Sequence, residues 1–177
     1  MHGDSDEPLS LENCINDLKI VDEYVRNRYS NANVGLFGTS FGAYIILSYL
    51  RQTYLTYGGI FLKSPAIKMD KVFREKLLEE DIDVFKDRGY TIKNKNKLMK
   101  IYYSFYESLV NEKITADNIE KNRNIVIFHG TNDDVALFDD LKEYNFSNIQ
   151  INPMDGSTHD LSDNDLDVII GVINLMN

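Results

Sequence analysis

The segment Gly38-Thr39-Ser40-Phe41-Gly42 sets a serine between two glycines, and the chain changes character on either side of it. Asn33 to Gly38 reads as a short buried strand, and Phe41 to Arg51 as a helix that is apolar on most sides. A serine hydroxyl is a weak nucleophile at neutral pH. To attack an acyl carbon it needs a base, a group that orients the base, and N–H donors for the oxyanion. A sharp strand-to-helix turn exposes the Oγ, and the helix N-terminus behind it favours developing negative charge. The backbone N–H of Phe41 then stands where one oxyanion donor is required. The bare pentapeptide is common; its weight comes from the strand before it and the helix after it.

Those flanking elements belong to a longer alternation. Leu11, Cys14, Ile15, Leu18, Val21 and Val25 recur every three or four residues between Ser10 and Tyr29, which predicts an amphipathic helix before the serine. Further apolar strands are predicted in YGGIFLKSPA, ending at Pro65, in NIVIFHG, ending at Gly130, and in NIQINPM. Helices are expected around Ala136 to Tyr144 and Asp165 to Met176. Continuous apolar strands alternating with helices indicate an α/β protein, a parallel sheet with helices on both faces.

The stretch 68–121 interrupts this alternation and reads as a helical insertion or cap on a single domain spanning 1–177. Within it, Ile101, Phe105 and Leu109 share a helical stripe toward a core. Tyr102, Tyr103 and Tyr106 are left near a rim, where they either line a substrate pocket or serve only helical packing.

With its context, GTSFG resembles the nucleophile turn of the α/β-hydrolase superfamily, of the serine esterase and acyl hydrolase type, and two downstream segments are similar to it as well. IVIFHGTNDD resembles the strand and loop that carry the family's acid in a Gly-x-x-Asp pattern, which implies Asp133, with Asp134 the near alternative. PMDGSTHDLSD resembles the loop that carries the base and implies His159. The order Ser40, Asp133, His159 is the superfamily's own, each at the C-terminal end of a predicted strand. Taken singly, Asp133 could cap the helix near Ala136, His159 could be a surface loop residue, and His129 reads as packed in the core.

The resemblance implies a hydrolase that cleaves a carboxylic ester through an acyl-enzyme, and the apolar, tyrosine-rich insertion suggests a small or medium acyl group, an aromatic one included; no cofactor and no metal are expected. The alternative is a catalytically impaired remnant acting as an oligomerisation or binding module. MHGDSDEP resembles the family's Gly-His-Gly-x-Ser loop, which follows the strand just before the first helix found here. The N-terminal strands and the second oxyanion loop are therefore expected to be missing. Val34 to Phe37 would then be a bare apolar edge, open to a second copy or to a chain that supplies the absent strands.

Composition narrows the remaining classes. A net charge of −9 opposes general nucleic-acid binding, and the basic run from Lys86 to Lys100 lacks the aromatic interleaving of a stacking platform. Gly35, Gly38 and Gly42 do not form a G-x-G-x-x-G phosphate loop. His2, His129 and His159 lack metal-ligand spacing, and the single cysteine, Cys14, excludes an intrachain disulfide. With no apolar run of membrane length and no leader-like N-terminus, a cytoplasmic location and no membrane partner are expected.

Overall fold

A computed structural model describes residues 7–94, 98–115, 125–142 and 149–176. The His2-containing segment compared above lies largely outside them.

Helix α1, Leu11–Arg28, begins where the Ser10 hydroxyl accepts the Asn13 N–H at 3.3 Å, with Glu12 in the first turn and Arg26 and Arg28 in the last, matching the helix dipole. It is followed by β1, Leu36–Thr39, and α2, Phe41–Leu50, then β2, Ile60–Lys63. The later strands of the sheet are β5, Ile125–Gly130, and β6, Ile149–Met154. Four strands run parallel in the order β1-β2-β5-β6, with Leu36 beside Ile60 and Ile60 beside Ile125. The expected α/β architecture is present.

Alternation along each strand divides the apolar side chains between two layers. Leu36, Ile60, Leu62, Ile125 and Ile127 join the larger core with α1, α2 and the short helix α6, Phe138–Lys142. Phe61, Val126 and Phe128 form a smaller core on the opposite face with Leu161 and with Val168 of the closing helix α7, Asp165–Met176. Phe37, in register with Phe61, sits on the edge strand and is 54% exposed.

Asp22 reads in the sequence as one of the charged positions of α1, yet it is buried. It accepts Tyr57 Oη–H at 2.6 Å, Tyr49 Oη–H at 2.8 Å and Arg26 Nε–H at 2.8 Å, which ties α1 to α2 and to the approach to β2.

Between β2 and β5 the insertion is mixed and not purely helical. Helix α3, Met69–Val72, passes into a π-helical turn, Phe73–Leu77, and α4, Ile82–Arg88, follows. Gly89, at φ 78°, ends α4 and opens an antiparallel hairpin, β3, Tyr90–Asn94, with β4, Leu98–Tyr102. Helix α5, Tyr103–Asn111, follows β4 directly. Ile101 therefore lies within a strand and not on a helix, although it is buried as expected, along with Phe105 and Leu109. Three members of the basic run are engaged locally: Arg88 pairs with Glu80, Lys93 with Glu79 at 2.7 Å, and Lys100 Nζ lies 3.8 Å from the Tyr90 ring centre.

Among the described residues, no helix is long and apolar enough to cross a membrane, and no cluster of His, Cys, Asp or Glu could hold a metal ion.

Candidate active site

Ser40 occupies the single residue between β1 and α2, at φ 51° and ψ −115°. A non-glycine residue there costs on the order of 1–3 kcal/mol, so the surroundings must hold it. Its N–H donates to the Lys63 carbonyl at 2.9 Å, and its own carbonyl accepts from Tyr44 N–H at 3.2 Å and Ala66 N–H at 3.3 Å. A Cβ on Gly38 would come within 2.9 Å of the Ala43 nitrogen and 2.6 Å of Ile46 Cδ1, so the turn closes only over a glycine. Gly42 differs, because a Cβ there would meet nothing within 4 Å.

His159 lies in the loop after β6, with its side chain 22% exposed. Its Nε2 is 2.8 Å from Ser40 Oγ and its Nδ1 is 2.8 Å from Asp133 Oδ2. One imidazole thus joins a hydroxyl and a carboxylate that lie far apart in the chain.

Asp133 is buried, whereas Asp134 is exposed, and it is Asp133 that faces the imidazole. Its other oxygen, Oδ1, accepts the N–H groups of Val135 and Ala136, each at 2.9 Å. The capping role and the pairing with His159 therefore coexist on one carboxylate. Burial pushes the Asp133 pKa up, but hydrogen bonds from His129 and His159 and from the Val135 N–H outweigh it and hold the group well below the usual carboxylate range. An ionised Asp133 can orient the imidazole without taking its proton.

The loop bearing His159 is fastened to the end of β5 by residues that sequence reasoning did not single out. Thr131 N–H donates to Met154 O at 3.1 Å, Asn132 N–H to Ser157 O at 3.0 Å, and Gly156 N–H to Thr131 Oγ1 at 2.9 Å. Gly130 lies directly beneath, since a Cβ there would stand 2.2 Å from the Ser157 carbonyl oxygen. The only sequence signal for this was the glycine ending an apolar strand.

Phe41, half-buried, begins a run of aromatic contacts. Its ring meets Phe105 at 5.9 Å, Phe105 meets Phe73 at 6.0 Å, and Phe73 meets Tyr106 at 5.6 Å. Among the three tyrosines this corrects the placement of Tyr106. Tyr106 is buried in that core and not at a rim, Tyr103 packs edge-on against Phe85 at 5.2 Å, and Tyr102 ends β4 with 37% of its surface exposed. Two cavities, of about 680 and 300 Å³, lie elsewhere, one between α1 and α5 beside Asn16 and Asn111 and one beside Tyr44 and Ile67. Neither is lined by Ser40 or by these tyrosines.

No protein-family profile and no curated protein matches the sequence. In shape the chain is similar to many solved structures. Est1E from Butyrivibrio proteoclasticus, with ferulic acid bound, is 18% identical at a TM-score of 0.75, over 97% of this chain and 70% of that one. Mouse alpha/beta hydrolase domain-containing protein 10 is 12% identical at 0.64, over 94% and 68%. The monoacylglycerol lipase of Paleococcus ferrophilus is 16% identical at 0.62, over 95% and 76%. The fold is that of the α/β-hydrolases, and this chain spans about seven-tenths of such a chain.

Proposed function

We propose that the chain is a serine hydrolase that cleaves carboxylic esters of small or medium acyl groups through an acyl-enzyme. The observation that carries this reading is the continuous hydrogen-bonded line from Ser40 Oγ through His159 to the ionised Asp133, with the serine held in a strained turn.

In the proposed sequence Ser40 Oγ attacks the ester carbonyl while His159 Nε2 takes its proton. The Phe41 N–H, at the start of α2, receives the oxyanion. His159 then returns the proton to the departing alcohol, leaving the acyl group on Ser40. Water, activated by the same imidazole, releases the acid and restores the serine. Asp133 stays ionised throughout and fixes the imidazole. An aromatic acyl group is one suitable substrate, a view in keeping with the ferulic acid held by Est1E.

The reading includes a cytoplasmic location and self-association through the edge strand β1, where Phe37 is exposed. A neighbouring chain at that edge could supply a second oxyanion donor, which is worth about 10²–10³ in turnover. The same edge is the feature that favours the rival reading, a binding or oligomerisation module without catalysis.

Hydrolysis of a short-chain p-nitrophenyl ester, compared with Ser40→Ala and sedimented on the same sample, tests the reading. Turnover that disappears with Ser40→Ala supports it. Association without turnover supports the rival.

A further inference from the structure

His129 is fully buried at the end of β5, four residues before Asp133. Its Nε2 lies 2.7 Å from the Ala136 carbonyl oxygen and 3.1 Å from Asp133 Oδ2. Both neighbours are acceptors only, so Nε2 carries the proton and shares it between them. Its Nδ1 is buried without a hydrogen-bond partner among the described residues. The Phe138 ring packs against the imidazole with centres 5.7 Å apart. Among the described residues, the charged or titratable groups facing Asp133 are thus His129 from β5 and His159 from the loop after β6, and Asp133 is the one facing His129.

From this geometry we propose that His129 is a positioning residue for the Ser40 site, a second imidazole donor on the same Asp133 oxygen that His159 uses. The proposal rests on the reading of Ser40, His159 and Asp133 given above. His129 closes the turn from Gly130 to Ala136 around the carboxylate, fixing the direction of Oδ2. It also draws charge from that oxygen, which limits how tightly Asp133 holds the imidazolium formed when His159 takes the serine proton. Without the second donor, Oδ2 is freer to turn and holds that imidazolium more strongly.

The test compares His129→Met, which fills the space without an N–H, with His129→Gln, which keeps one. In His129→Met, kcat is expected to fall between about tenfold and a hundredfold with KM unchanged, and the acidic limb of kcat/KM to move to higher pH. His129→Gln should restore both. Folded His129→Met with wild-type kcat and an unmoved limb would overturn the proposal. Nitrogen-15 NMR of the wild type needs no variant: a proton on His129 Nε2 is expected, and one on Nδ1 would overturn the assignment. If wild-type protein shows no Ser40-dependent turnover, the hydrolase reading fails and the positioning role is judged by the His159 Nδ1–H resonance. Movement of that resonance in His129→Met but not in His129→Gln supports the role, and no movement refutes it.

Discussion

Gly130 and Ser157 stand in backbone contact, so close that a Cβ on the glycine would lie 2.2 Å from the serine carbonyl oxygen. The contact sets the height of the His159 loop above the end of β5. Gly130→Ala is therefore expected to push that loop outward and lengthen the 2.8 Å approach of His159 Nε2 to Ser40 Oγ. A displacement of about 1 Å at a reacting group can cost roughly 10²-fold in rate. The measurement is kcat on a chromogenic ester, with circular dichroism to establish folding. Wild-type turnover from folded Gly130→Ala would contradict the positioning argument.

The two glycines around Ser40 should respond in opposite ways. Gly38→Ala forces a methyl group against the Ala43 backbone and should prevent the turn from closing, seen as a large drop in melting temperature or as insoluble protein. Gly42→Ala places a methyl group in open space within α2, and is expected to leave stability unchanged or raise it by about 0.5–1 kcal/mol. Equal losses in both variants, read by denaturant unfolding, would mean that something covers Gly42.

The depressed pKa of Asp133 carries a stability signature with a definite sign. Its folded-state value lies below the unfolded value of about 3.9, so its contribution is present above roughly pH 4 and is lost as pH falls toward the folded value. Wild type should therefore lose more stability than Asp133→Asn when denaturant unfolding is compared at pH 7 and pH 3. Parallel losses in the two proteins would remove Asp133 from the account of acid sensitivity.

The β1 edge should draw chains together. Phe37 is exposed there beside backbone groups that pair with β2 on one side only among the described residues. Sedimentation at micromolar concentration is expected to show a dimer or larger species for wild type and a smaller one for Phe37→Lys, because a charge on an edge opposes strand addition. A wild-type monomer would contradict the association.

The strands were legible because a sheet covered on both faces needs continuous apolar runs, and NIVIFHG could be little else. Ser40, Asp133 and His159 were legible as candidates through their places at strand ends, and the structure brings those three side chains together. The hairpin was not, because Tyr90–Asn94 and Leu98–Tyr102 are short segments in a lysine-rich stretch whose pairing is fixed only when Tyr90 meets Tyr102. Asp22 was missed for a related reason: its burial depends on Tyr49 and Tyr57, whose hydroxyls arrive from other parts of the chain. Tyr106 was misplaced because helical spacing cannot tell a rim from a core once Phe73 and Phe85 close over the helix. The burial of His129 agreed with its strand-end position, whereas its contact with Asp133 depends on how the turn from Gly130 to Ala136 folds back.

The central claim is that Ser40 is an activated nucleophile. The most direct measurement is intact mass after reaction with a fluorophosphonate, which forms a stable phosphonyl ester only with an activated serine hydroxyl. One adduct per chain is expected, absent in Ser40→Ala and formed far more slowly in His159→Ala. Folded wild-type protein that stays unlabelled, or labels equally in Ser40→Ala, would contradict the claim.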